Sequence, residues 1–134
     1  MRVVFDTNTL VSALLFESSV PAQAFFAAMD AGEILLSASL VNEVNEVLQR
    51  KKFKKYISAE QREEFLIALV QWGRLVEITE TVAVCRDPKD NHILELAISG
   101  DAQVVVTGDS DLLVLNPFKA IQILTPRDFL SIIE

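Results

Sequence analysis

With one cysteine, Cys85, the chain has no internal disulfide, and a cytoplasmic setting is the expectation. One histidine and one cysteine also leave no nitrogen-and-sulfur ligand set for zinc. Four Gly and four Pro in 134 residues leave little room for long loops or linkers. No apolar run reaches the roughly 18 residues that a membrane span needs, so no membrane contact is expected. Asp6 interrupts the short apolar start behind Arg2, which argues against a signal peptide. Positive charge is scarce too: 12 Lys and Arg stand against 19 Asp and Glu, a net charge of −7. That balance disfavours a generic nucleic-acid binder, which should be basic.

What is present is apolar residues, 51% of the total, enough for one real core and a single domain over residues 1–134. Short β-rich runs alternate with longer helical ones, the pattern of a parallel α/β sheet. Val3-Val4-Phe5 reads as a buried first strand. Ser19 before Pro21 caps a helix to about Ala31, stopped by Gly32. Ile34-Leu35-Leu36 is a second strand, and Ser39 opens a helix to about Arg50. Ser58-Ala59-Glu60-Gln61 is a capping box for a helix to Trp72, stopped by Gly73. Leu75 to Ile78 reads as a third strand and Asp90 to Ser99 as a helix ended by Gly100. Val104-Val105-Val106 is a fourth, fully buried strand and Ile121-Gln122-Ile123 a fifth. Thr125-Pro126 starts the last helix.

The acids fall where acids are usually avoided, because burying an unpaired charge is costly. Asp6 closes the first apolar run, and Asp109 follows the fourth strand by three residues. In open parallel sheets the ligand site lies at the carboxyl ends of the strands, where strand order reverses. If strands one and four are neighbours, Asp6 meets Thr107, Asp109 and Asp111. On the helix from Ser39 the core face is Leu40, Val41, Val44, Val47 and Leu48. At about 100° per residue, Glu43 lies on its flank and Glu46 nearly opposite. On the helix from Asp90 the core face is Ile93, Leu94, Ala97 and Ile98. Asp90 projects onto its centre one turn earlier, while His92 and Glu95 point away.

Each acid also has a purely structural reading. Asp6 and Asn8 suit a turn or cap, Asp90 a helix cap or dipole partner, and Thr107 to Asp111 an Asx-rich turn. Glu43 could be a boundary residue paired with a lysine, and Cys85 reads as a packing residue. The joint pattern carries the weight. Carboxylates aimed at one spot repel each other unless a cation sits among them, and an all-oxygen set favours Mg²⁺ or Mn²⁺. Metal-dependent phosphate chemistry is the reading that follows. Five of the basic residues lie in one run, Arg50, Lys51, Lys52, Lys54 and Lys55, which could meet RNA or a protein partner locally.

The segments "VVFDTN", "SLVNEVNEVLQRKKF", "RDPKDNHILELA" and "VVVTGDSDLL", in that order, resemble the PIN-domain nucleases across nearly the whole chain. More narrowly they resemble the small prokaryotic PIN toxins of type II toxin–antitoxin pairs. The resemblance implies a three-layer α/β/α fold around a parallel sheet of about five strands. It also implies Mg²⁺ or Mn²⁺ in an acidic cleft, cleavage of an RNA substrate, a small antitoxin partner and a homodimer. On this resemblance Asp6, Glu43, Asp90 and Asp109 are the family's four catalytic and metal-ligating acids. Asp111 is a further metal-ligating acid, and Asn8 and Thr107 are supporting polar residues. Leu112 stands where the family often has Phe. Two rivals remain at this stage. One is a non-catalytic module that binds RNA or protein on the same fold. The other is a haloacid-dehalogenase-like phosphatase, which usually wants an Asp where Asn8 stands and a late phosphate-binding lysine that is not evident.

Overall fold

A computed structural model describes residues 1–133. Five parallel strands form one sheet in the order β3-β2-β1-β4-β5, with helices on both faces. The strands are β1 Arg2–Phe5, β2 Glu33–Leu36, β3 Arg74–Leu75, β4 Val104–Val106 and β5 Gln122–Leu124. The chain steps outward from β1 through β2 to β3, then returns to the other side of β1 at β4. The reversal therefore lies between β1 and β4, paired in the register Phe5↔Val106. Both are buried on both faces, as expected of strands rich in Val and Phe under two helical layers.

The helices are α1 Thr7–Leu15, α2 Val20–Ala31, α3 Ala38–Leu48, α4 Ala59–Trp72, α5 Asn91–Ser99, α6 Ser110–Leu113 and α7 Pro126–Ile133. Short 3-10 turns at Lys51–Phe53 and Pro88–Asp90 lead into α4 and α5. Serine caps recur, because a side-chain oxygen takes one of the free N–H groups of the first turn. Ser19 accepts from Ala22 at 3.2 Å and Ser37 from Leu40 at 3.0 Å. Ser58 and Gln61 close a reciprocal box. On one face of β1, Phe5 meets Phe25 of α2 at 5.6 Å between ring centroids and Phe129 of α7 at 6.4 Å.

Four boundaries differ from the sequence reading. The third helix is capped by Ser37 rather than Ser39, since the chain turns as soon as β2 ends. The third strand stops at Leu75. It is an edge strand whose pairing ends with β2 at Leu36, so Glu77 and Ile78 lie outside the sheet. The fifth strand begins one residue late, because Ile121 is held by Phe118 in a tight turn. The helix over Thr7–Leu15 was not anticipated at all. Its sign was an acid N-cap, Asp6, before the partly apolar run Leu10 to Leu15.

Helix α4 is attached narrowly. Leu69 is its one fully buried side chain, while Ile67 on the outer side is 55% exposed. Leu69→Ala should cost roughly 2–5 kcal/mol, the range for emptying a packed core site. Ile67→Ala should stay within about 0.5 kcal/mol. Urea unfolding midpoints check both, and equal shifts would contradict this seating of the helix.

Candidate active site

Asp6 leaves the end of β1 with its backbone N–H still bonded to the Val106 carbonyl at 3.1 Å. Its side chain is buried and fully engaged. Oδ1 accepts from the Thr9 N–H at 2.9 Å, capping α1, and Oδ2 accepts from the Thr107 hydroxyl at 2.5 Å. The same Thr107 oxygen accepts from the Asp109 N–H at 2.9 Å, so its one proton is free to point at Asp6. Thr107, itself fully buried, thus locks the first acid to the loop carrying the fourth. Asp109 in turn caps α6 by accepting from the Asp111 N–H at 2.9 Å. The structural reading of these residues as caps is therefore true, and it is also what aims them.

Asp6, Asn8, Glu43, Asp90 and Asp109 line one cleft of about 270 Å³ at the β1–β4 reversal. Glu43 is half-buried there and Glu46 is exposed, as the helical projection required. Asp90 occupies the N-terminal end of α5, yet its carboxylate makes no capping bond. That leaves it available to the cleft. Asp111 stands apart from these walls, 3.8 Å from Arg86 and 37% exposed in its side chain. It lies in the first turn of α6, its N–H held by Asp109, and it is not on the cleft wall. Of the basic run, Arg50 reaches the cleft. Lys51, Lys52, Lys54 and Lys55 are exposed along the 3-10 turn and its exit.

Four residues of the site carry no mark as site residues in the sequence reading: Thr7, Asp87 and Lys89 line the cleft, and His92 stands against Glu43. Asp87 and Lys89 lie on the cleft wall. Their signal was the segment Arg86 to Asp90, whose 3-10 turn carries alternate charges past the opening. His92 does not face open water: its Nε2 is 3.2 Å from Glu43 Oε1, which also accepts from the Thr7 hydroxyl. The projection failed because α3 packs beside α5 and supplies a partner that a single-helix view cannot contain. Glu95, which also points away from the core face of α5, accepts from the Val82 N–H at 2.9 Å and holds the segment after β3.

The charges are in conflict. Burial raises the carboxyl of Asp6, its hydrogen bonds pull it back, and Asp109 raises it further. Asp90 is pushed up to about 6, first by burial, then by the charges of Asp109 and Asp87 and by a hydrogen bond with Asp109. Burial and the same acids also push the Cys85 thiol up, which supports a packing role, since the thiolate is the reactive form. The donor set fits a hard divalent cation: it is all-oxygen, and burial together with the mutual repulsion of its charges raises the Asp6 and Asp90 carboxyls. Among the described residues no three acid, His or Cys side chains close into a ready cage. Mg²⁺ tolerates this, because it usually keeps several waters and takes one or two protein carboxylates.

Residues 2–111 match the PIN domain. The chain belongs to the PIN-domain family. An uncharacterized protein of Methanocaldococcus jannaschii is 27% identical over the full length of this chain and 92% of its own. In fold, the chain is similar to VapBC2 of Rickettsia felis, solved bound to a DNA fragment from its promoter. The TM-score is 0.59 at 17% identity, covering 92% of this chain and 97% of that one. The matched PIN region spans all five carboxylates of the cleft and the Thr107 bridge.

Two outcomes follow. A divalent cation must displace the Asp90 proton, so Mn²⁺ should bind roughly tenfold more weakly at pH 5 than at pH 7. Because the folded-state value is raised to about 6, the folded protein holds more protons than the unfolded chain between pH 4 and 6. The metal-free melting temperature should therefore fall across that window as pH rises, and less so in Asp90→Asn. Calorimetric titration and melting in EDTA check both; an affinity flat from pH 5 to 7 would refute a cation that displaces the Asp90 proton. Separately, His92→Ala should cost about 10- to 100-fold in activity or metal affinity, as loss of a ligand-orienting partner does. His92→Gln should recover most of it, and equal losses in both variants would contradict an orienting role.

Proposed function

We propose that the protein is a Mg²⁺- or Mn²⁺-dependent endoribonuclease and the toxin component of a type II toxin–antitoxin pair. The observation that carries this reading is the convergence of Asp6, Glu43, Asp90 and Asp109 at the β1–β4 reversal. Membership in the PIN-domain family supports nuclease chemistry. The fold shared with a VapBC2 protein supports a small antitoxin as partner.

Asp6, Asp90 and Asp109 are the residues that would hold the cation, with Glu43 beside them. The ion would polarise a phosphoryl oxygen and lower the pKa of a bound water for in-line attack on the phosphodiester. The chain supplies the rest. Thr9 and Thr107 fix Asp6, so the first ligand needs no rearrangement when substrate arrives. Asp90, whose carboxyl is raised to about 6, would hold the cation as the deprotonated carboxylate and is able to keep a proton in its place. Glu43, held by Thr7 and His92, presents a carboxylate able to orient a water. Arg50 and Lys89 bring positive charge to the rim, where a phosphate would otherwise meet only acids. No side-chain nucleophile is required, and Cys85 is not poised to be one. The phosphatase alternative loses ground because Asn8 lies exposed on the first turn of α1 and lacks the carboxylate that chemistry needs.

Purified protein with Mn²⁺ should cut single-stranded RNA, and EDTA should stop it. Asp6→Asn and Asp90→Asn should each lower the rate by about 10²-fold or more, since the ion supplies most of the charge stabilisation. Glu43→Gln should impair cleavage while Glu46→Gln leaves it within about twofold, as expected for a solvated surface site. Cleavage at wild-type rate by both Asp variants, with contaminating nuclease excluded, would overturn the assignment.

A further inference from the structure

Two aromatic side chains lie exposed at the far end of α1. Phe16, just past its last turn, is 39% exposed, and Tyr56, at the exit of the basic run, is 50% exposed. Their ring centroids are 5.3 Å apart at an interplanar angle of 81°. In an edge-to-face pair only one ring uses a face, and whichever it is, Phe16 keeps at least one face clear of Tyr56. The Lys55 ammonium sits 5.1 Å from the Tyr56 centroid, and Lys52 Nζ 5.0 Å from that of Phe53. Such contacts are weak at exposed sites and exchange readily for another partner. In a chain of net charge −7, aromatic rings interleaved with lysines are a local exception that calls for an anionic, stackable ligand.

The position of this patch links it to the acids. Helix α1 begins at Asp6 and ends beside Phe16, and its nine residues span about 14 Å. Between the two ends, Asn8 and Ser12 lie four residues apart on one side of the helix. Both border a second cavity, of about 510 Å³, that shares Asp6 and Asp109 with the acid cleft. From the other direction Arg50, on the cleft wall, begins the basic run that ends next to Tyr56. Helix α1, which carries Asn8 and Ser12, and the basic run that starts at Arg50 thus both run from the acids to the ring pair.

We propose that Phe16 and Tyr56 form a stacking platform for an unpaired base of a single-stranded nucleic acid, with Lys52 and Lys55 meeting the adjoining phosphates. The proposal rests on the nuclease reading above and adds where the strand lies beyond the scissile bond. Single strands are favoured over duplexes because only an unpaired base offers a free face to a ring. An apolar protein helix is a poorer fit. The patch is two rings hemmed by lysines and lacks the continuous apolar groove such helices use.

The test uses the full-length protein, an unstructured labelled RNA oligonucleotide and its duplex. Tyr56→Leu keeps apolar bulk but loses the ring, and it should raise KM for the single strand at least about fivefold with little change in kcat. Tyr56→Phe should behave as wild type, and circular dichroism should show all three equally folded. Ultraviolet cross-linking should join the single strand, and not the duplex, to a peptide containing Phe16 or Tyr56. Unchanged KM and no cross-link at either ring, while wild type still cleaves, would overturn the platform and leave the nuclease reading standing. Failure of wild type to cleave or cross-link RNA would overturn both. Normal RNA kinetics with loss of binding to a purified antitoxin would overturn the platform by making this a protein-docking surface.

Discussion

The parallel pairing of β1 with β4 is the constraint on which the site depends. It sets Phe5 beside Val106, so the next residues, Asp6 and Thr107, leave the sheet together. From there two hydrogen bonds, Thr107 hydroxyl to Asp6 and Asp109 N–H to Thr107, join loops about a hundred residues apart in sequence. A slip of one residue in that register would reverse the facing of every side chain on the strand. It would also break the contact between the first acid and the fourth. Because both strands are apolar and buried on each side, such a slip would expose core and bury charge, and the register is strongly specified.

Against this rigid frame the cleft is electrostatically strained. Asp6 is nearly enclosed, and burial with the charges of Asp109 and Asp87 raises the Asp90 carboxyl to about 6. The apolar sheet beneath makes up for that cost, and a proton held on Asp90 relieves part of it. A cation would relieve more, so the conflict itself is the argument for what the site binds. Glu43 is arranged differently: Thr7 and His92 hold it. The cleft therefore has one acid, Asp90, whose proton is held by burial and neighbouring charge, and another, Glu43, whose position is set by its partners.

Much of this was legible in the sequence. Buried strands announce themselves as short Val-rich runs, and Ser caps and Gly stops mark helix ends whatever the tertiary setting. Helical angle alone separated Glu43 from Glu46, because both lie on one helix whose core face is unambiguous. What was not legible depends on a second element. His92 and Glu95 point away from the core face of α5 but meet partners from α3 and from the segment after β3. Asp111 looks equivalent to Asp109 in sequence, yet it does not line the cleft and lies 3.8 Å from Arg86. Strand β3 is short because its neighbour runs out, a fact located in β2. Helix α1 is hard to see because its cap, Asp6, also closes the first strand.

The central claim is that Asp6, Asp90 and Asp109 together hold one divalent cation. Anomalous diffraction from crystals grown with Mn²⁺ at neutral pH tests it most directly. The account predicts a manganese peak bounded by carboxylate oxygens of these three residues. A peak coordinated elsewhere, or no manganese beside these residues at saturating concentration, would contradict it.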